Sequence, residues 1–266
     1  MPDDPVTPER ILKESPRLGL DDRFTFQCSP QLSCFGHCCR DVTIVLTPYD
    51  VLRMKRSLGM DSSEFLEQHT LRLQNAEQKF PIVILQMQED ESKRCQFLSE
   101  SGCGIYRDRP WACRMYPLGM AEPKAATPND LPFHFLVHED LCQGHSEGVS
   151  LSVREWIECQ GIEEFEMMSG GFKELTLHDF WNNGRALTPQ QSDMFYMACY
   201  DLDRFRRFVF ETRFLQLFDI DEARVEALRG DDQELLDFGM QWLRFSIFGE
   251  RSMKIRRDAN TPERGK

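Results

Sequence analysis

Cysteine is the residue type in this sequence with the greatest capacity for chemistry. The chain has 266 residues and 10 cysteines, and a cysteine thiolate is both a nucleophile and a ligand for soft or borderline metals. Eight of the cysteines lie before residue 143, in a pattern too clustered for ordinary buried apolar side chains. These eight candidate metal ligands are Cys28, Cys34, Cys38, Cys39, Cys95, Cys103, Cys113 and Cys142.

The cellular setting decides between metal ligation and disulfide formation. The first ten residues are acidic and proline-rich and lead into no apolar segment, so we expect no secretory signal. No apolar run reaches the roughly 18 residues that a membrane-spanning helix needs. We therefore expect a soluble, cytoplasmic protein with no membrane partner, and thiols stay reduced in the cytoplasm. Metal ligation or redox chemistry is then the better explanation of the cysteines.

The spacing of the cysteines excludes several familiar metal sites. The order is Cys-x5-Cys-x3-Cys-Cys and then Cys-x7-Cys-x9-Cys, so the Cys-x2-Cys pairs of zinc knuckles, zinc ribbons and thioredoxin-like proteins are absent. The ferredoxin patterns are missing too. Adjacent Cys38 and Cys39 are expected to point in different directions, so that they serve different sites or only one is a ligand. Eight thiolates suffice for two four-ligand sites, or for one cluster with spare thiols.

The remaining cysteines and two histidines have separate interpretations. His138 and His145 flank Cys142, and either could replace it as a ligand. We favour Cys142, because it brings the thiolates to two full sets of four. Cys199 lies on the apolar stripe of a predicted helix, and Cys159 follows a tryptophan by one turn. Both are expected to be small, buried apolar residues.

Arginines accompany the second group of cysteines. A zinc ion with four thiolates, or a [4Fe–4S]²⁺ cluster with four thiolates, keeps a net charge of about −2. Buried negative charge needs compensation from cations or backbone N–H groups. We expect Arg109 and Arg114 to compensate this charge beside the cofactor, since a guanidinium group offers several fixed donors and stays charged. Arg107 is expected to pair with Asp108 or another carboxylate.

The elements that must position these residues are short strands and helices. The apolar or β-branched runs 42–46, 80–87 and 133–137 predict strands, and a short helix is expected at about 110–115. Thr47, followed by proline and then Asp50, predicts a helix start. Asp61 with Glu64 predicts a second start of the capping-box type.

From about residue 150 onward, helical signals dominate. Ser152 with Glu155 forms a capping-box pattern, and Thr188 begins a predicted long helix whose apolar stripe runs from Phe195 to Val209. A last helix is expected over roughly 233–248. The fold class predicted is α+β and predominantly helical. A cysteine-rich half with short strands is expected to pack against a C-terminal helical half.

Composition suggests a division of the chain into four parts. We expect an extended N-terminal arm over 1–23, a cysteine-rich metal- or cluster-binding domain over 24–148, a helical region over 149–250 and a basic disordered tail over 251–266. The formal net charge is −12. Such an acidic chain is not expected to have a dedicated nucleic-acid surface, which needs clustered lysine and arginine.

Taken together, the cysteine segments resemble a known family. Over about residues 24–146 the chain is similar to the CxxxCC cysteine-cluster family of zinc- or iron-chelating proteins. The spacing between Cys28 and Cys34 is longer than the two residues typical of many members. The matching pieces, in chain order, are Phe26-Gln-Cys28, Cys34-Phe-Gly-His-Cys38-Cys39, Ile44-Val-Leu-Thr-Pro-Tyr-Asp50, Cys95-Gln-Phe-Leu98 and Cys103-Gly-Ile-Tyr followed by Arg109-Pro-Trp-Ala-Cys113-Arg114-Met-Tyr-Pro117.

This resemblance implies a metal-binding protein and leaves its reaction open. Family members are commonly labelled iron–sulfur oxidoreductases or metal chelators, and flagellin lysine N-methylase has a similar cysteine pattern. We expect an iron–sulfur cluster, [4Fe–4S] first, in electron transfer or in an oxidoreductase or modifying enzyme with an unidentified protein or redox partner. The alternatives are a zinc-binding structural or interaction module without catalysis, and a methyltransferase-like enzyme. The methyltransferase is the weaker one, because no glycine-rich nucleotide loop follows any predicted strand.

Overall fold

The architecture is α+β and predominantly helical, as predicted. A computed structural model describes residues 16–73, 79–121, 132–146 and 148–256, and these contain eleven α-helices and nine short strands. The chain forms two compact units. Unit one comprises Met1–Val42 and Met87–Glu166, and unit two comprises Thr43–Gln86 and Met167–Lys266. The second unit is therefore built from two stretches that are far apart in sequence.

Unit one contains small sheets rather than one large sheet. Each of its three described sheets has two antiparallel strands. Its α-helices are α3 (Trp111–Met115), α4 (Val153–Gln160) and α5 (Ile162–Met168), the last of which crosses the unit boundary. The sheets pair β1 (Arg23–Thr25) with β9 (Ser150–Ser152), β5 (Leu98–Ser99) with β6 (Gly102–Cys103), and β7 (Leu118–Ala121) with β8 (Phe133–Leu136).

An aromatic core holds unit one together. Phe26 makes edge-to-face contacts with Trp156 and Tyr116, at centroid distances of 5.7 Å in each case. The indole N–H of Trp156 donates to the Met115 carbonyl at 3.2 Å, so that this ring is both packed and hydrogen-bonded. The half-buried Cys142 packs against the same cluster. One of the candidate ligands is thus anchored directly on the core.

Unit two contains a three-stranded antiparallel sheet in the order β2-β4-β3. The strands are β2 (Val45–Leu46), β3 (Thr70–Leu73) and β4 (Ile82–Leu85). Between and after them lie eight helices, counting those in the described part of the unit only. They are α1 (Pro48–Leu58), α2 (Ser62–His69), α6 (Gly170–Thr176), α7 (Pro189–Cys199), α8 (Leu202–Glu211), α9 (Phe214–Leu217), α10 (Glu222–Gly230) and α11 (Asp232–Phe248).

Close helix packing in unit two depends on a glycine. A Cβ atom at Gly239 on α11 would stand 2.7 Å from the carbonyl oxygen of Ala198 on α7. This separation is too short for any side chain, so the backbones of the two helices approach as closely as they do because residue 239 has none.

A buried network of charges joins the two sequence stretches of unit two. The Lys55 ammonium, only 7% exposed, contacts Asp203 at 2.7 Å and Asp232 at 3.4 Å. Arg206 pairs with both carboxylates, and Arg56 pairs with Asp232. Every charge in the network has an opposite partner, which offsets the cost of its burial. Segment 43–86 is thereby tied to helices more than a hundred residues later.

The predicted helix starts are largely confirmed. Thr47 accepts from the Asp50 backbone N–H while Asp50 accepts from that of Thr47, and Ser152 with Glu155 forms the same reciprocal box. The capping box expected at Asp61 is wrong in its second half. Asp61 caps the helix by accepting from the Ser63 N–H, but Glu64 accepts from the Gln68 side chain instead.

The long helix predicted from Thr188 through Val209 is wrong. It is two helices, α7 and α8, because Asp201 between them has φ −97° and ψ 67°, outside the helical region. The Asp201 carboxylate accepts hydrogen bonds from the hydroxyls of Ser62 and Ser63 at 2.7 and 2.8 Å. A tertiary contact thus interrupts a helix whose apolar stripe alone would run through. The last helix agrees closely with the prediction.

The three predicted strands are present but shorter, as β2, β4 and β8, and the other six described strands are ones that the sequence did not reveal. Near the N-terminus, Leu18 pairs with His134 through two backbone hydrogen bonds. At the other end, Ile255 pairs with Phe218. Residues 1–15 of the expected arm and residues 257–266 of the expected tail lie outside the described residues, so the four-part division stays a prediction. No helix in the described ranges has the length and apolarity to cross a bilayer.

Candidate metal centre

A tight turn presents the central cysteines of unit one. Gly36 has φ +73° and precedes a 3₁₀ turn over His37–Cys39. The His37 N–H donates to the Cys34 carbonyl at 2.9 Å, and the Cys39 N–H donates to the Gly36 carbonyl at 3.3 Å. A positive φ is readily adopted by glycine, so Gly36 allows the chain to reverse between Cys34 and the adjacent pair Cys38 and Cys39.

The segments that carry Cys28 and Cys34 are joined by hydrogen bonds to the segment that carries Cys142. The Gln27 N–H donates to the Gly144 carbonyl at 3.0 Å, and the Gln143 N–H donates to the Cys34 sulfur at 3.3 Å. These bonds bring Cys28 and Cys34 to the segment that carries Cys142. Desolvation, followed by repulsion from three neighbouring thiolates, raises the pKa of Cys28 to about 11, and those neighbours are Cys38, Cys34 and Cys142.

The other four thiols form a second neighbourhood. The Cys95 N–H donates to the Cys39 carbonyl at 2.8 Å, which joins the segment that ends at Cys39 to the segment that begins at Cys95. Cys103 pairs with Leu98 across β5 and β6, and the Leu98 N–H bonds back to the Cys95 carbonyl. Cys39 interacts electrostatically with Cys95 and Cys113, and Cys95 with Cys103. The second neighbourhood therefore contains Cys39, Cys95, Cys103 and Cys113.

Cys38 and Cys39 lie where the two neighbourhoods meet. Each thiol is the largest influence on the pKa of the other: the interaction with Cys39 lowers the pKa of Cys38 to about 7, although desolvation and the Glu139 carboxylate oppose the shift. The interaction with Cys38, together with desolvation, raises the pKa of Cys39. The expectation that these adjacent residues serve different sites, or that only one is a ligand, stays a prediction.

Backbone N–H groups are directed at several of the sulfurs. The Phe97 N–H bonds to the Cys95 sulfur and the Ile105 N–H to the Cys103 sulfur, in each case from two residues further along the chain. Desolvation dominates and raises the pKa of both thiols, while these donors act in the opposite direction. Such N–H groups stabilise the thiolate form, the form that ligates metals.

The two arginines differ in what they contact. The Arg109 guanidinium lowers the pKa of Cys103, against the larger effect of desolvation, and stacks on the Tyr106 ring at 3.8 Å. Arg114 donates to the backbone carbonyls of Arg107, Arg109 and Gln160. Arg109 thus contributes positive charge to the thiols, whereas the hydrogen bonds of Arg114 fix the loop before α3. A role of either residue beside a cofactor stays a prediction.

The sulfur donors are of the type that a soft metal binds, but in the described residues they do not converge on one point. In the described ranges, no three cysteine, histidine, aspartate or glutamate side chains converge closely enough to hold an ion. Hydrogen bonds nevertheless bring several of the cysteine segments together, and the Gln143 N–H is directed at the Cys34 sulfur. Thiolates are the ligands that zinc, copper(I) and iron–sulfur clusters select. Binding of such a group would require the sulfurs of each neighbourhood to draw together.

Comparison with protein families agrees with this donor chemistry. Residues 27–145 match the family model CxxCxxCC, described as a "putative zinc- or iron-chelating domain". Over these residues the chain is similar to the CxxCxxCC domain. The match bears out the predicted cysteine-cluster family, and metal chelation is the property that the family description assigns. Neither the curated proteins nor the solved structures that were searched gave a match.

Within the CxxCxxCC domain, the alternative histidine ligands stand together. The rings of His138 and His145 are 4.3 Å apart between centroids, and His145 also contacts the Phe26 ring edge-to-face at 5.3 Å. Desolvation, followed by the neighbouring His138, lowers the pKa of His145. Cys142 packs against the aromatic cluster that includes Phe26, and it is an electrostatic neighbour of Cys28.

The two cysteines set apart from the cluster have different surroundings. Cys199 is fully buried on α7, as expected, and burial raises its pKa well above the ordinary value. The expectation that Cys159 is buried is wrong. Cys159 is exposed on α4, where its thiol donates to the Trp156 carbonyl at 3.3 Å, because the helix turns this position away from the core that holds Trp156.

Unit two contains two clefts, with volumes of about 470 and 320 Å³. The larger is lined by residues such as Arg224 and Phe238, and the smaller by Asp61, Arg206 and Phe210, and neither has a cysteine in its walls.

Proposed function

We propose that the CxxCxxCC domain of this chain holds an iron–sulfur cluster, with [4Fe–4S] as the first choice. The observation that carries the proposal is a set of hydrogen bonds that joins distant cysteine segments, from the Cys95 N–H to the Cys39 carbonyl and from the Gln143 N–H to the Cys34 sulfur. The cysteines come from both sequence stretches of unit one, Met1–Val42 and Met87–Glu166. All eight donors are sulfur, the ligand type of [2Fe–2S] and [4Fe–4S] clusters.

Charge compensation in the domain supports the proposal. N–H donors contact the sulfurs of Cys34, Cys95 and Cys103, and the Arg109 guanidinium acts on Cys103. Hydrogen bonds to ligand sulfurs are one of the means by which proteins stabilise a cluster and adjust its reduction potential. Residues of this chain would thus hold and tune the group, while a bound cluster would supply one-electron chemistry.

The proposed role is electron transfer, or the redox part of an oxidoreductase or modifying enzyme, with a protein as redox partner. Reduced thiols are required for ligand assembly, so the proposed site of action is a reducing compartment such as the cytoplasm. A zinc-binding structural or interaction module is the alternative, since four thiolates also suit zinc. The two readings share their ligands and differ in the metal.

The experiment that tests the proposal is metal and sulfide analysis of the full chain purified without oxygen. We expect a brown protein with iron and acid-labile sulfide, a broad visible absorption band and an EPR signal in one redox state. Colourless protein with stoichiometric zinc under the same conditions would contradict the cluster and establish the zinc module instead.

A further inference from the structure

We infer that the outer face of the three-stranded sheet in unit two is a docking surface for a second copy of this chain. Five aliphatic side chains form this surface, called the sheet face below, and association through it requires no metal. Its residues are Val45, Leu71, Leu73, Ile82 and Ile84.

The register of the strands places these five side chains in two adjacent rows. Val45 on β2 pairs with Ile84 on β4, and Ile84 pairs in turn with Leu71 on β3. The second row is Leu73 opposite Ile82. Side chains alternate between the two faces of a strand, and paired residues lie side by side. All five therefore lie on the same face and form one continuous aliphatic patch across the sheet.

The two faces of the sheet differ in what covers them. On the inner face, Leu46 and Val83 are fully buried. On the sheet face, the exposed fractions are 55% for Val45, 46% for Leu71 and 37% for Leu73. An antiparallel sheet with one solvated face ordinarily has polar residues there, alternating with the apolar residues of the core. Contiguous aliphatic residues in their place indicate a contact surface.

Among the described strand residues, no charged side chain belongs to the sheet face. Arg72 on β3 is opposite Val83 on the inner face, where it lies over the Tyr196 ring at 4.4 Å and pairs with Asp193 at 3.5 Å. The whole chain has a formal net charge of −12, but the segment 43–86, which supplies all three strands, has five acidic and five basic residues. Two acidic chains repel each other, so this neutral segment is where two copies approach at low electrostatic cost.

A second copy fits the sheet face in chemistry and in shape. The face is entirely aliphatic, so the surface that covers it must be apolar too, and an identical face meets that requirement. Two sheets can pack face to face about 10 Å apart. A two-fold axis between the copies would place each sheet face on the other as an isologous contact.

The extent of the sheet face sets the strength of the contact. Three strands about 4.8 Å apart, with up to four residues of about 3.4 Å each, give a footprint on the order of 200 Å². A stable interface of standard size buries about 800 Å² on each partner. The dimer is therefore weak and reversible, populated at high protein concentration and dissociated on dilution.

The test is sedimentation of the full chain from low micromolar to near-millimolar concentration, with the thiols kept reduced so that exposed cysteines do not link chains. We expect the average mass of the wild type to rise from one copy toward two. Leu71→Lys should stay monomeric over the same range, since it places like charges on both faces. The matched control is Leu177→Lys, at a 59% exposed leucine of unit two outside the sheet, and it should dimerise as the wild type does.

Mixing two variants tests the contact between the faces directly. Leu71→Glu alone should also be monomeric, but an equimolar mixture with Leu71→Lys should regain the dimer, because opposite charges then meet. A mixture that stays monomeric would exclude the face-to-face contact. A wild type that is monomeric at every concentration would overturn the inference and leave the sheet face to a different partner. Dimerisation that Leu71→Lys leaves intact, or that Leu177→Lys abolishes, would overturn it as well.

A labelling measurement on the wild-type chain avoids the risk that a variant fails to fold. Side chains are modified with a carbene reagent at low and at high protein concentration, and the modified sites are located by peptide mass. Labelling of Val45, Leu71 and Leu73 should fall at high concentration, while that of Leu177 stays constant. Unchanged labelling of the sheet face would contradict the dimer. None of these readouts involves metal, so their failure is separate from a failure of the proposed function.

Discussion

Cys142 is the candidate ligand that stands furthest from the others in sequence, and its surroundings decide its role. It packs on the core that contains Phe26 and Trp156. Negative charge at Cys142 contributes to raising the pKa of Cys28, so the Cys142 thiol is an electrostatic neighbour of the Cys28 thiol. The core thereby presents Cys142 to the other thiols as a fixed donor.

We expect the Cys142→Ser variant to bind less metal per chain than the wild type, because it lacks one ligand thiol. His138→Ala and His145→Ala should retain the full amount, because the two rings pack against each other at 4.3 Å and His145 packs edge-to-face on Phe26. Metal per chain, measured on the three variants side by side, checks the assignment. Full retention in Cys142→Ser with loss in a histidine variant would make a histidine the eighth ligand.

At the scale of elements, the contact between segments 27–28 and 142–144 depends on Gly144. A Cβ atom there would lie 2.7 Å from the Phe26 ring and 2.9 Å from the Gln27 carbonyl oxygen. We expect Gly144→Ala to separate the two segments, to lower the metal content and to cost about 1–3 kcal/mol of stability. Gly170→Ala is the control, because an added Cβ there would meet no atom within 4 Å apart from its chain neighbours and its own helix backbone. This variant should change neither metal content nor fold. Wild-type metal content in Gly144→Ala would show that this contact does not position the ligands.

The charge network of unit two predicts how its stability depends on pH. Burial raises the pKa of Asp203 and Asp232, but hydrogen bonds and charge from Lys55 and Arg206 outweigh it and lower both below the ordinary value. Carboxyls with a lowered pKa in the folded state stabilise it above their unfolded pKa, about 3.9, and this contribution is lost as the pH falls through the folded pKa.

We expect Asp203→Asn to lose roughly 1–3 kcal/mol at neutral pH, because it leaves Lys55 with one weaker partner. The difference from wild type should shrink below about pH 4, where the wild-type carboxyl is itself protonated. Urea unfolding of the metal-free chains between about pH 3 and 7 measures both effects. A difference that stays constant across this range would mean that the charge of Asp203 does not contribute.

For the whole molecule, metal removal should affect the two units unequally. Ligands from Cys39 and Cys95 lie on either side of a long segment that belongs to unit two, so metal closes a long loop and its binding energy becomes folding energy of unit one. We expect chelation to lower the melting temperature and to open 16–42 and 87–146 to protease. The segments 43–73 and 167–256 should be cut more slowly. Unchanged melting and digestion after chelation would contradict this coupling.

Local features of this fold could be predicted from the sequence, and pairings between distant residues could not. The caps at Thr47 and Ser152 depend on neighbours within three residues, and both were predictable. The break at Asp201 depends on Ser62 and Ser63, about 140 positions earlier, and no periodic pattern contains that information. The membership of 43–86 in unit two likewise depends on Lys55 meeting Asp203, a separation of 148 residues.

For the metal centre, the donor types could be predicted and their grouping could not. The number and clustering of cysteines were enough to indicate chelation and the family. Which four thiols lie together depends on contacts such as Gln143 with Cys34, 109 residues apart. The 3₁₀ turn that contains Cys38 and Cys39 follows the positive φ of Gly36, which spacing alone did not reveal.

The divided sequence of unit two sets an order of events during protein synthesis. Segment 43–86 leaves the ribosome early, but its partners Asp203 and Asp232 are not yet translated. All eight clustered thiols emerge before those partners, and domains fold as units while the chain is still being made. A nascent chain can therefore assemble its metal-binding part first, while the forty-four residues Thr43–Gln86 stay incomplete until the C-terminal helices are made.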